Sequence, residues 1–142
     1  MQRQGRIGPI AVCASRFSTV NELARAETLL RAFPGQSFRA WPDLDGLPQP
    51  DLFHEAIAAL QPRQVVVVAV PDQLHYGVVM AALARDQHVL CVKPLALEYG
   101  QAAAIERAAR ARALLSLIHI SATFQPAPPP RAACLRCALP YQ

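Results

Sequence analysis

Residues 65–70 read Val-Val-Val-Val-Ala-Val, and this run constrains the chain more than any other feature. It is apolar, rich in β-branched side chains and free of polar alternation, the pattern of a strand buried on both faces, as inner strands of a parallel sheet are. Pro71 ends it, because proline cannot donate to a ladder, and a helical pattern follows. A second short apolar run at 88–92 closes on Lys93 and Pro94. The order is strand, turn, helix, strand, turn, and both turns fall at the carboxyl ends of their strands. Open α/β sheets bind their ligands at that edge.

The remaining elements fit the same alternation. Residues 10–15 (IAVCAS) form a candidate strand ending at Ser15-Arg16. Thr19 and Glu22 have capping-box spacing for a helix whose apolar stripe is Val20, Leu23, Ala26, Leu30 and Phe33, stopped by Pro34-Gly35. Residues 37–41 read as a strand and 42–50 as loop. Asp51 is placed to cap a short helix with Leu52, Phe53, Ala56, Ile57 and Leu60 inward. Asp72 is placed to cap the helix after the valine run, with Leu74, Val78, Ala81 and Ala82 toward the sheet. Asp86-Gln87 returns the chain into residues 88–92. An alanine-rich helix spans 99–113, with Glu106 and Arg110 spaced as a surface pair. Residues 114–120 (LLSLIHI) read as one more strand. The expected fold is therefore α/β, a Rossmann-like parallel sheet with helices on both faces and right-handed crossovers.

Length and composition narrow the function classes. At 142 residues the chain fits one domain, and with 53 % hydrophobic and 17 % charged residues it can bury a core. No apolar run approaches the ~20 residues of a membrane span. No signal-peptide h-region is present, which sets the cytoplasm as the expected location and no membrane partner. The net charge of +4 is scattered along the chain, against a nucleic-acid footprint, which clusters basic residues on one face. Of fourteen Lys and Arg, only Lys93 is a lysine, and it ends the second buried strand.

Three groups carry candidate chemistry. Asp72 and His75, three residues apart at the start of a helix, can both face a ligand above the strand end, where free N–H groups suit a ribose or phosphate. The plainer alternative is a cap and a half-exposed first-turn histidine. Lys93, held beside a proline, can serve as a proton donor or a point charge for an oxygen; otherwise it is a solvated loop lysine. In a dinucleotide fold, a small hydroxyl followed by arginine, here Ser15-Arg16, accommodates a 2′-phosphate, so NADP is expected with NAD the alternative. Arg16 as an ordinary surface residue is the competing reading. Cys134 and Cys137 form C-x-x-C, but no second ligand pair stands at zinc spacing, so no metal is expected. Cys13 and Cys91 read as small core residues.

Residues 70–75 (VPDQLH) and 88–95 (HVLCVKPL) together resemble the cofactor-binding domain of the Gfo/Idh/MocA oxidoreductases, the glucose–fructose oxidoreductase and inositol dehydrogenase family. Its members carry Thr-Pro-Asn or a variant at the strand end, a histidine three residues on, and a strand ending in Glu-Lys-Pro. The resemblance extends from about residue 10 to 114. It implies reversible hydride transfer between a nicotinamide dinucleotide and a small-molecule substrate, a sugar, polyol or related alcohol, by a homo-oligomeric enzyme. It implies that Lys93 is catalytic, near the substrate oxygen. By the same resemblance Val70, Pro71, Asp72, His75 and Pro94 line the cofactor, and Ser15 and Arg16 stand at the adenosine ribose.

The sequence departs from the family in three ways. Val92 replaces the glutamate beside the motif lysine. No G-x-G-x-x-G is present: Gly5-Arg6-Ile7-Gly8 does not supply it, and no strand precedes it. In the 3-2-1-4-5-6 sheet order, the strand that carries that turn lies in the middle, so a mid-sheet gap with apolar edges is expected. No substrate domain follows. Residues 1–120 are read as a partial dinucleotide-binding domain and 121–142 as an irregular proline-rich tail. Residues 115–121 (LSLIHIS) also coincide with what a common transposon-end sequencing adaptor encodes, so the tail is read as an artefact, with a true last strand as the alternative. The expectation is a domain fragment of an oxidoreductase, inactive alone; a non-catalytic Rossmann-like binding module is the rival.

Overall fold

The computed structural model describes residues 2, 5 and 7–118. The elements run β1 (Ile10–Cys13), α1 (Phe17–Arg25), α2 (Glu27–Ala32), β2 (Phe38–Trp41), α3 (Phe53–Ala58), β3 (Val65–Val68), α4 (Asp72–Ala84), β4 (His88–Cys91), α5 (Tyr99–Ala111) and β5 (Ser116–Ile118). All strand pairs are parallel, as the βαβ alternation demands. They form two sheets: β1 with β2, and β3-β4-β5 in that order. No ladder joins β1 to β3 among the described residues, which is the expected mid-sheet gap. The tail at 121–142, Cys134, Cys137 and His119 lie outside the described residues.

The core lies between the three-stranded sheet and the helices α4 and α5, which also pack against each other. Val68, Val79, Ala82, Leu83, Val89, Cys91 and Ile105 are each at most 2 % exposed. Helix α4 is built for this position. His75, Val78, Val79, Ala82 and Leu83 recur at helical spacing and are all buried. This stripe runs one residue off the one expected: Leu74 is 52 % exposed, and His75 takes the inward place.

At the amino end of the sheet Gln87 fixes how β3 and β4 start. Its buried amide accepts from the Gln64 N–H at 2.9 Å and donates to the carbonyls of Gln61 at 3.0 Å and Arg85 at 2.9 Å. A buried amide needs such partners, since an unpaired one costs about 1–3 kcal/mol. The return at Asp86 takes a left-handed φ of 57°, within reach of Asp. On α5 the expected Arg110–Glu106 pair forms at 2.7 Å, fully at the surface and worth a few tenths of a kcal/mol.

Several local expectations are corrected. The valine run is not buried on both faces: Val65 and Val67 are 64 % and 62 % exposed, while Val68 is buried. Alternating side chains point to opposite faces, and no described element covers the second face of this edge strand. The strand also stops at Val68, leaving Ala69 and Val70 to the turn. The expected helix after Ser15-Arg16 breaks at Ala26, whose ψ of 104° is extended, into α1 and α2. Of its stripe only Val20 is buried; Leu23, Leu30 and Phe33 are exposed, because two strands offer too little surface to cover them. The capping box does not form, because α1 starts three residues early with Arg16 at its N-cap. Asp51 lies one residue before the N-cap of α3, Leu52, and contributes its backbone carbonyl rather than its side chain, accepting from His54 N–H at 3.0 Å.

One-sided packing gives a direct test. Leu83→Ala is expected to cost about 2–5 kcal/mol in urea unfolding, whereas Val67→Thr should stay within about 0.5 kcal/mol of the parent sequence. A loss at Val67 as large as that at Leu83 would mean that the second face is covered in solution.

Candidate functional site

Two turns at the carboxyl edge of the three-stranded sheet carry most of the candidate residues. The first runs from Val70 to Asp72. Pro71 is the N-cap of α4, with φ of −54° and ψ of 142°, and no side chain caps the helix. Asp72 is therefore the first residue of α4 rather than its cap. Its carboxylate acts on the helix dipole from the first turn, worth about 0.3–1 kcal/mol at an exposed position. Proline at the cap sets the entry angle, and its carbonyl accepts from the Leu74 N–H at 2.8 Å.

The second turn follows β4. The Val92 N–H donates to the Val68 carbonyl at 3.0 Å, which carries the β3–β4 ladder one residue past the strand. Lys93 comes next, exposed, and the cis Lys93–Pro94 peptide leads to a half-buried Pro94. Lys93 takes part in no ion pair among the described residues. Val92 is half-buried where the family motif has glutamate, so no carboxylate stands next to the lysine in the chain.

His75 joins the two turns. Its ring has no exposed surface. Nδ1 lies 2.5 Å from the Pro94 carbonyl oxygen, and Nε2 lies 2.8 Å from that of Val70. The structure thus brings Val70, Pro71, Asp72, His75, Lys93 and Pro94 to one edge, with the histidine ring turned into the protein and Asp72 and Lys93 exposed. The sequence marks His75 as a residue of this edge but not its acceptors, because both are backbone carbonyls. The available signal was a polar side chain on the stripe of Val78, Val79 and Ala82.

Ser15 and Arg16 stand apart from this group. Both are exposed and follow β1, a strand of the other sheet, with Arg16 at the N-cap of α1. The Ser15 carbonyl accepts from the Gln49 N–H at 2.7 Å, which ties the long loop before α3 to this strand end. Among the described residues no hydrogen bond links Ser15 or Arg16 to the Val70–Pro94 group. No cluster of three or more His, Cys, Asp or Glu able to hold a metal occurs among the described residues. No described helix is long and apolar enough to cross a membrane.

The cysteines differ from one another. Cys91, two residues before Lys93, is wholly buried, and desolvation pushes its thiol above the usual value of 9.0. Cys13, expected in the core, is exposed, because β1 alternates and its Ala11 and Cys13 face is uncovered.

Residues 11–119 match the sequence profile of the Gfo/Idh/MocA oxidoreductase family, NAD-binding Rossmann fold. An uncharacterized oxidoreductase of Schizosaccharomyces pombe is 34 % identical over 61 residues, covering 43 % of this chain and 16 % of the yeast protein. An NAD-binding oxidoreductase of Klebsiella pneumoniae is 35 % identical over 51 % of this chain and 19 % of its own, with a TM-score of 0.45. Myo-inositol 2-dehydrogenase of Lactobacillus plantarum overlays on 79 % of this chain and 28 % of its own, with a TM-score of 0.57 at 12 % identity. That overlay is a likeness of fold, and it identifies the α/β architecture as Rossmann-like. The chain spans between about a sixth and under a third of the length of these relatives.

Desolvation raises the thiols of both Cys13 and Cys91 above 9.0, but of the two only Cys91 is shut off from solvent, and that difference in exposure separates their reactivity. In the folded chain at pH 8, iodoacetamide is expected to alkylate Cys91 at least tenfold more slowly than Cys13, read by peptide mass mapping. The raised thiol of Cys91 favours the neutral form in the folded state. The stability this contributes is present below pH 9.0, the unfolded value, and is lost as pH rises through the higher folded value. Equal labelling of the two thiols would contradict the buried position.

Proposed function

Because the chain belongs to the Gfo/Idh/MocA oxidoreductase family, through its NAD-binding Rossmann domain at residues 11–119, we propose that it supplies one side of a nicotinamide dinucleotide site. The enzyme concerned transfers hydride between NADP(H) and a sugar, polyol or related alcohol. The observation that carries this reading is the edge itself: Pro71-Asp72 and Lys93-Pro94, from neighbouring strands, joined through His75. The cytoplasmic, homo-oligomeric enzyme expected from the sequence is part of the same reading.

In this reading Lys93 is the residue that handles the proton. The dinucleotide supplies the acceptor for the hydride leaving the alcohol carbon, while the Lys93 amine takes the hydroxyl proton and returns it in the reverse direction. Its exposed position at the strand end leaves the side chain free to reach a substrate oxygen. Val70, Pro71, Asp72 and Pro94 shape the wall beside the cofactor, with the unpaired N–H groups of the first turn of α4 turned toward that edge. Ser15 and Arg16 would take the 2′-phosphate, since the guanidinium offers paired donors to phosphate oxygens. The pyrophosphate is not provided for: these 142 residues contain no G-x-G-x-x-G. A non-catalytic binding module is the second reading, and Val92 in place of the motif glutamate favours it.

Three measurements test this reading. The 142-residue chain is expected to show no saturable NADPH binding, because the pyrophosphate turn is not in its sequence; a measurable affinity would contradict that role for the turn. In an enzyme carrying this chain with a glycine-rich βα unit and a substrate domain, Arg16→Asp should move preference toward NAD(H) by tenfold or more. Lys93→Met in the same protein should lower kcat by roughly 10²–10⁴-fold, the usual range for losing a proton-transfer group, with cofactor affinity within threefold. Unchanged turnover would favour the binding module, and unchanged cofactor preference would remove Arg16 from the site.

A further inference from the structure

We propose that His75 is a positioning residue that sets where Lys93 stands, by holding the turn after β3 and the turn after β4 at a fixed separation. The chemistry of the bridge is specific. Both partners are carbonyl oxygens, of Val70 and Pro94, and a carbonyl only accepts. A ring nitrogen meets either carbonyl favourably only by donating an N–H to it. A neutral imidazole has one N–H and can donate to only one turn, with its bare nitrogen facing the other oxygen. The ring donates to one of the two carbonyls, and its buried body, wedged between both turns, sets their separation. Lysine, glutamine or asparagine has no such rigid ring, so none replaces this geometry.

Position gives the bridge its consequence. Val70 lies two residues beyond β3 and Pro94 three beyond β4, where the ladder has already ended with the Val92 to Val68 bond. Past that bond, the His75 ring is the cross-connection found between the two turns. Pro94 is bonded directly to Lys93, so anchoring the Pro94 carbonyl limits the directions from which the lysine leaves the sheet. The ring itself is wholly buried and does not reach a ligand in this arrangement. Its influence on the site passes through Lys93 on one side and Pro71-Asp72 on the other. Asp72 and Lys93 are the charged residues of the two turns, and both are exposed to solvent while the ring is not.

The functional meaning of this tie rests on Lys93 being the reacting lysine, but the tie can be tested without activity. Lys93 is the only lysine among the 142 residues, so ¹³C reductive dimethylation of the whole chain places one side-chain label, beside that of the α-amine. His75→Phe keeps ring volume and removes the ring N–H; His75→Gln keeps a donor at one end. In the phenylalanine variant, the carbonyl ¹³C signal of Val70 or Pro94, whichever accepts the ring N–H, is expected to move upfield and the Lys93 label to shift, with the glutamine variant between. Signals of the β4–β5 ladder should stay in place. An unmoved Lys93 label and unmoved carbonyl signals in a folded His75→Phe chain would overturn the proposal.

Should that variant not fold, ring ¹⁵N spectra of the unaltered chain give the answer. A ring N–H coupled across its hydrogen bond to the carbonyl of residue 70 or of residue 94 supports the tie. A ring N–H with no coupling to either carbonyl excludes it. Loss of the tie with a normal effect of Lys93→Met on turnover would sink the positioning role alone. An intact tie with no effect of Lys93→Met would sink the catalytic reading alone.

Discussion

The buried stripe of α4 holds this molecule together. His75, Val78, Val79, Ala82 and Leu83 enter the sheet from one helix face, against Val68, Val89, Cys91 and, from α5, Ile105. Burying a Val or Leu side chain is worth about 1.5–3 kcal/mol, so this contact supplies much of what orders β3, β4 and α5. It also places the site. The same face that packs Val79 and Leu83 begins with His75, and packing of the lower turns drives the imidazole between the two strand-end turns. A candidate site at the carboxyl edge is thus a continuation of the core rather than a feature grafted on it.

Much of this was legible in the sequence because it rests on chemistry that is local or periodic. The βαβ order, the strands at 65–68 and 88–91, and the helices at 72–84 and 99–111 follow from apolar runs, Pro71 and helix-forming composition. The mid-sheet gap followed from the missing glycine-rich turn. What was misread depends on neighbours. Four valines in a row carry no record of which face is covered, so Val65 and Val67 looked as buried as Val68. Thr19 and Asp72 have the right side chains for caps, but helix starts were set by Arg16 and Pro71, whose extended backbones suit the N-cap without a side-chain bond. Leu74 outranks His75 in hydropathy, yet the histidine is inside, where backbone carbonyls of two turns flank its ring, while Leu74 is 52 % exposed.

Polar burial divides between the two ends of the sheet with different outcomes. At the amino end Gln87 uses both ends of its amide on backbone partners from the β3 approach and its own turn. It fixes register and leaves nothing for a ligand. At the carboxyl end His75 does the corresponding work, but it ties turns whose neighbouring residues, Asp72 and Lys93, are open to solvent. Both ends carry charged side chains beside the staple, but at the amino end Asp86 and Arg112 pair with each other at 2.7 Å, whereas Asp72 and Lys93 make no ion pair among the described residues.

The open face sets a physical limit on the chain as an independent unit. Val65 and Val67 each keep more than three-fifths of their surface in water, which forgoes roughly 2–4 kcal/mol of hydrophobic gain for the pair at the usual value per side chain. A small domain has about 5–15 kcal/mol of net stability, so this deficit is a sizeable fraction of the whole. Among the described residues β1 and β3 each keep an unpaired edge, which adds backbone groups that water must satisfy. A strand seated between those edges would pair both, and a helix on the far face would cover the valines. In the doubly wound sheet order, one strand–turn–helix unit does both, and its turn is the one that binds a pyrophosphate. In that sheet order stability and dinucleotide binding are coupled, because the unit that completes the sheet also carries the pyrophosphate turn.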